Sequence, residues 1–104
     1  MTTETGDIHV GEVGTVFEIT IKEGGVGVDI STATQLQITF KKPTGESLVK
    51  TAVFTTDGTD FKLRYVSIAD DLDVDGPWQL QARVDMPSWQ GYSTIGHFQV
   101  EPNL

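Results

Sequence analysis

The chain contains no cysteine among its 104 residues. Disulfide frameworks, thiolate zinc sites, iron–sulfur clusters and thiol nucleophiles are therefore excluded together. Basic side chains are scarce: seven Lys and Arg stand against fifteen Asp and Glu, a formal charge of −8. That balance repels nucleic-acid phosphates and anionic lipid headgroups, so neither nucleic acid nor membrane is an expected partner. No apolar run approaches the length of a membrane span. The start, Met-Thr-Thr-Glu-Thr-Gly-Asp, has neither the basic nor the apolar region of a secretory signal, and the product is expected to stay in the cytoplasm that makes it. Amphipathic helical periodicity is also missing. Ser31–Thr34 and Ser67–Leu72 could each close one turn behind an N-capping Ser, and no helix of ordinary length is expected. With 38% hydrophobic residues there is enough apolar material for one core, and the length suits one domain over residues 8–104 behind a flexible N-terminal arm at 1–7.

What the chain has in quantity is two-residue alternation. Phe17, Ile19 and Ile21 alternate with Glu18, Thr20 and Lys22; Leu36, Ile38 and Phe40 alternate with Gln37, Thr39 and Lys41. Each set reads as a strand with one buried face. Lys42-Pro43-Thr44-Gly45 then supplies turn chemistry, Val49–Thr56 a β-branched run, and Asp57-Gly58 another turn before Phe61, Leu63 and Tyr65. Trp78, Leu80, Ala82, Val84 and Met86 give the most complete inward face, entered through Pro77. After the tip Pro87-Ser88-Trp89-Gln90-Gly91, Tyr92, Thr94, Phe98 and Val100 share one parity and Ile95 the other, with Gly96 as the expected bulge. With an opening strand at Ile8–Val10, about seven strands punctuated by turns predict an all-β chain, an immunoglobulin-like antiparallel β-sandwich. Its expected core is Phe17, Ile19, Ile21, Leu36, Ile38, Phe40, Leu63, Tyr65, Trp78, Leu80 and Val84.

Signals for chemistry are thin. Asp71-Leu72-Asp73-Val74-Asp75-Gly76 opens like a calcium loop, but the twelfth position, which should offer a bidentate Glu, is Ala82, and Pro77-Trp78 starts a strand instead of a helix. The segment is expected to be a calcium-independent acidic turn. His9 and His97 lie in separate strands without paired-ligand spacing, and no serine stands in a G-x-S-x-G elbow. A glycosidase-type carboxylate pair would need a cleft that a small sandwich spends on packing. The chain is expected to be non-enzymatic, with no cofactor and no metal. Lys41 and Lys42 are the one basic cluster, at a hairpin, where edge protection is the plainer role. Trp78 belongs to the core by parity. Trp89, among turn formers at the hairpin tip, is expected to be an exposed contact residue, with capping of the sandwich end as the alternative. The candidate protein-contact residues are therefore Trp89, Tyr92, Lys41 and Lys42.

Four stretches carry a resemblance: residues 8–17, Ile-His-Val-Gly-Glu-Val-Gly-Thr-Val-Phe; 40–45, Phe-Lys-Lys-Pro-Thr-Gly; 56–60, Thr-Asp-Gly-Thr-Asp; and 76–82, Gly-Pro-Trp-Gln-Leu-Gln-Ala. Together they resemble the immunoglobulin-like domain family of tailed bacteriophages, of the kind found at the N-terminus of baseplate upper proteins. Phe61 departs from the pattern, standing where relatives tend to have a small turn residue. The resemblance implies a virion structural role, made in the host cytoplasm and carried in several symmetric copies on tail, baseplate or capsid, with other virion proteins as partners. It brings no catalytic residues. The alternative is a carbohydrate- or receptor-binding adhesion module using Trp89 and Tyr92 as stacking platforms.

Overall fold

Alternation becomes strand wherever the sequence sustains it. In a computed structural model, which describes residues 8–104, the chain is all-β, with no helix among the described residues. The arm expected at 1–7 lies outside them. The strands are β1 (Ile8–His9), β2 (Val16–Thr20), β3 (Lys22–Glu23), β4 (Val26–Gly27), β5 (Gln35–Lys41), β6 (Ser47–Thr51), β7 (Val53–Phe54), β8 (Lys62–Val66), β9 (Gly76–Met86), β10 (Trp89–Tyr92) and β11 (Gly96–Glu101). A six-stranded sheet runs β1-β11-β9-β5-β6, with β10 also on β9; a three-stranded sheet runs β2-β8-β7; β3 and β4 form a small separate hairpin that alternation did not announce.

Pairing is antiparallel with one exception. β1 lies parallel to β11, Ile8 facing Val100, which corrects the expectation of a wholly antiparallel fold. The opening residues enter along the last strand in its own direction, and the Val10 N–H donating to the Glu101 carbonyl at 3.1 Å extends that contact.

The inward residues of the two sheets meet in one apolar cluster. The Phe17 ring, from the three-stranded sheet, lies 5.1 Å from Phe40 and 5.0 Å from Phe98 of the six-stranded sheet, and Trp78 lies 5.7 Å from Phe98. Nine of the eleven residues expected in the core are buried, while Ile19 and Tyr65 are partly buried and pack against it. Ile8, Ile30, Ala52 and Leu72 join the buried set from short strands and loops that offered no period to read. Each large side chain removed from water here contributes about 1.5–3 kcal/mol, so this cluster is the principal stabilising feature.

Departures from the alternation have local causes. Residues 49–56 were expected to form one strand but break at Ala52, whose N–H donates to the Leu36 carbonyl at 2.9 Å; β6 belongs to the six-stranded sheet and β7 to the three-stranded one. The chain thus changes sheets within a single β-rich run. Lys42–Glu46 closes the β5–β6 hairpin, with Gly45 at φ 94°, a conformation that a side chain disfavours. Near the chain end, Tyr92 faces Arg83 and Gly96 faces Leu80, so residues 93–95 stand opposite only two residues of β9. The bulge lies there, and not at Gly96, which sits in the ladder. Ser93 satisfies it: the Ala82 N–H donates to Ser93 Oγ at 2.9 Å, and the Ser93 N–H donates to the Ala82 carbonyl at 3.0 Å.

Two aromatic residues sit differently from expectation. Phe61 precedes β8 at φ 69° with its ring against Gly27, instead of sharing the inward face of Leu63 and Tyr65. Left-handed backbone at a bulky residue costs about 1–3 kcal/mol, here held by the Ile21 N–H donating to the Phe61 carbonyl at 2.7 Å. Trp89 is no exposed tip residue. The β9–β10 turn consists of Pro87 and Ser88 alone, so Trp89 faces Met86 on the core side, folds across Gly91 and packs half-buried against the cluster. Gly91 leaves the space the indole occupies. Trp89→Ala is expected to lower the unfolding free energy by about 2 kcal/mol, less than a fully buried indole would, as measured by urea denaturation.

Candidate functional site

The outward face of the six-stranded sheet has a distinct composition. All six glutamines of the chain are on it: Gln35 and Gln37 from β5, Gln79 and Gln81 from β9, Gln90 from β10 and Gln99 from β11. Pairing sets them in rows, Tyr92–Arg83–Gln37 and His97–Gln79–Lys41 among them. Charged residues on the strands of this face are Lys41 and Arg83 against Asp85 and Glu101, near neutrality on a chain of −8. Amides offer both donors and acceptors, so such a face binds through many directional bonds and little net field.

Each candidate contact residue has a definite place. Lys41 is exposed and lines a shallow groove of about 500 Å³ with Pro77, Gln79, His97 and Gln99. Lys42, on the next residue, is consumed internally: its Nζ lies 3.0 Å from Asp73 Oδ2 and 3.2 Å from Glu46 Oε1, with the ammonium 6.0 Å above the Trp78 ring. The bond to Asp73, then that to Glu46, raises its pKa against the opposing effect of desolvation. Tyr92 is 59% exposed, its ring 5.8 Å from the Arg83 guanidinium, which Asp85 holds at 3.0 Å. The sheet brings Tyr92 and Lys41 onto one face and leaves Lys42 and Trp89 off it.

The acidic turn is used internally as well. Asp71 is buried: Lys50 Nζ lies 2.9 Å from its Oδ1, while its Oδ2 accepts from the Ile68 N–H at 2.9 Å and from the Tyr65 hydroxyl. Burial alone would raise its pKa, but these donors outweigh it and hold the carboxyl below its ordinary value. Burial, followed by the bond to Asp71, pushes the Tyr65 phenol up. With Asp71 turned inward and Asp73 bound to Lys42, the three aspartates do not converge on one point. Millimolar Ca²⁺ or chelator is accordingly expected to leave the melting temperature unchanged; a rise of several degrees with Ca²⁺ would reveal a native-state site. Ser67, expected as an N-cap, instead accepts the Thr15 N–H at 3.0 Å and fixes the entry to β2.

Sequence reasoning missed the glutamine face as a unit. Its signal was present, since every glutamine occupies the outward parity of a strand, but only pairing shows that the strands share one sheet. Comparison with protein-family models, with curated proteins and with solved structures finds no match to this chain.

Proposed function

We propose that the chain is a non-enzymatic structural module of a tailed-phage particle, an immunoglobulin-like β-sandwich held in multiple copies on tail, baseplate or capsid by contacts with other virion proteins. The observation that carries the docking role is the broad, near-neutral, amide-rich face of the six-stranded sheet on an otherwise acidic chain. A protein neighbour satisfies many amides at once over a flat area. The sandwich reading is supported by the ring contacts of Phe17 with Phe40 and Phe98 and by the chain passing from one sheet to the other at Ala52. The phage setting rests on the resemblance of the four sequence stretches.

Mass spectrometry of purified particles tests the proposal: the chain is expected at more than one copy per particle, and its absence from virions overturns the reading. A second reading, a carbohydrate- or receptor-binding module, is favoured by the exposed Tyr92 ring among Gln37, Gln90 and Arg83. Glycan-array binding that Tyr92→Ala abolishes would select it.

A further inference from the structure

We infer that two copies of this chain pair edge to edge through β6, antiparallel about Val49, joining their six-stranded sheets into one. The inference deepens the multi-copy reading above and rests on it for its biological setting, while the pairing itself belongs to the chain in solution.

Among the described residues, one side of β6 carries backbone groups without a strand partner. At the hairpin end of the β5–β6 ladder the Lys42 N–H donates to the Glu46 carbonyl at 2.8 Å, and at the far end the Ala52 N–H donates to the Leu36 carbonyl at 2.9 Å. Antiparallel ladders alternate, so in the register Phe40↔Leu48 and Ile38↔Lys50 these are the bonded pairs, and Ser47, Val49 and Thr51 turn their N–H and C=O groups away from β5. β6 ends the strand order of its sheet. Among the described residues no strand pairs with those outward groups, which leaves a free edge, a template for another strand.

The edge is self-complementary. With Val49 facing its own copy across a two-fold axis, Ser47 faces Thr51 of the second copy, and all three residues have the outward parity, so every facing pair exchanges both backbone bonds. Val49, 55% exposed, meets another β-branched side chain, and hydroxyl faces hydroxyl on either side. The side chains of Ser47, Val49 and Thr51 share the outward face with Lys41, Thr39 and Gln37, so pairing extends the amide-rich face without a break. Lys50, the one charge on β6, is turned to Asp71 and does not guard the edge.

The outer edge of β2 has the same geometry and the opposite chemistry. The Ser67 N–H donating to the Thr15 carbonyl and the Ile21 N–H donating to the Phe61 carbonyl make Val16, Glu18 and Thr20 the outward residues of β2. Its two-fold pairing would set Glu18 against Glu18, and like charges directly opposite destabilise a pair, here offset only by Lys62 at 4.0 Å from each carboxylate. Charge therefore favours β6 over β2.

The contact is one strand wide, so a weak dimer is expected in solution, strengthened where a particle holds copies close together. Amide hydrogen exchange of the ¹⁵N-labelled chain, with sedimentation velocity, is measured from dilute to millimolar protein. The Ser47, Val49 and Thr51 amides are expected to slow about tenfold as dimer forms, with those of Val16, Glu18 and Thr20 unchanged. Val49→Glu and Val49→Lys each place like charges on the axis and are expected to abolish the dimer, while their equimolar mixture restores it as a heterodimer. A monomer at every concentration, protection on β2 in place of β6, or a dimer indifferent to both substitutions overturns the inference. Absence from virions would overturn the particle reading and leave this result standing.

Discussion

Trp78→Ala is expected to remove about 4 kcal/mol of unfolding free energy. Trp78 is 1% exposed, packs against Phe98, lies beneath the Lys42 ammonium, and its Nε1–H donates to the Val74 carbonyl at 3.0 Å. Burying an indole removes on the order of 200 Å² from water, worth about 5 kcal/mol by area, and the lost hydrogen bond adds about 1 kcal/mol. Partial collapse of the cavity returns some of this. A domain of this length holds roughly 5–15 kcal/mol in total, so the variant should melt on the order of 15–30 °C lower. Trp78→Phe keeps most of the apolar volume and loses the donor, and should cost about half as much. Urea denaturation of the three proteins checks the order; a Trp78→Ala loss below about 1 kcal/mol would mean that the indole does not pack as described.

Trp78 was legible in the sequence because its position follows from parity within β9, the longest alternating run. Trp89 was not, although it lies only eleven residues further on. Its place depends on whether the turn before it takes two residues or five, and turn formers flank it on both sides. Phe61 failed for a related reason: parity with Leu63 and Tyr65 predicts an inward ring, but its left-handed backbone at the start of the ladder turns the ring onto Gly27 instead. The change of sheets at Ala52 leaves no mark in a β-branched run, since either sheet accepts the same residues. Alternation therefore gives the longer strands and their buried faces, whereas which strands neighbour one another depends on loops whose geometry is set by distant contacts. The glutamine face and the free β6 edge both belong to that second class. The acidic turn shows the same division: Asp71-x-Asp73-x-Asp75 reads as one ligand set, yet Lys50 and Tyr65, distant in sequence or on another strand, take the first aspartate out of it.

Asp71→Ala should cost about 3–4 kcal/mol, because it leaves the Lys50 ammonium, the Tyr65 hydroxyl and the Ile68 N–H without their acceptor in a largely buried site. Asp71→Asn keeps the volume and one acceptor oxygen, loses the ion pair, and should fall between that variant and the natural chain. Acid separates the charge from the packing. The folded-state pKa of Asp71 lies below its unfolded value, so its contribution is complete above the unfolded pKa of about 4 and is lost as pH falls through the depressed folded value. Glu12, Asp29 and Asp57 are also lowered, first by the hydroxyls of Thr15, Ser31 and Thr59 respectively, so the chain as a whole should lose stability on acidification. Asp71→Asn removes one carboxyl from that loss. Its unfolding free energy should therefore decline less steeply than the natural chain's below about pH 4, the two curves converging toward low pH where both side chains are neutral. Tyr65→Phe leaves the carboxylate with Lys50 and Ile68 and should cost about 2 kcal/mol at neutral pH, since a buried hydrogen bond to a charged acceptor is lost. Parallel acid curves for Asp71→Asn and the natural chain would show that the Lys50–Asp71 pair contributes packing alone.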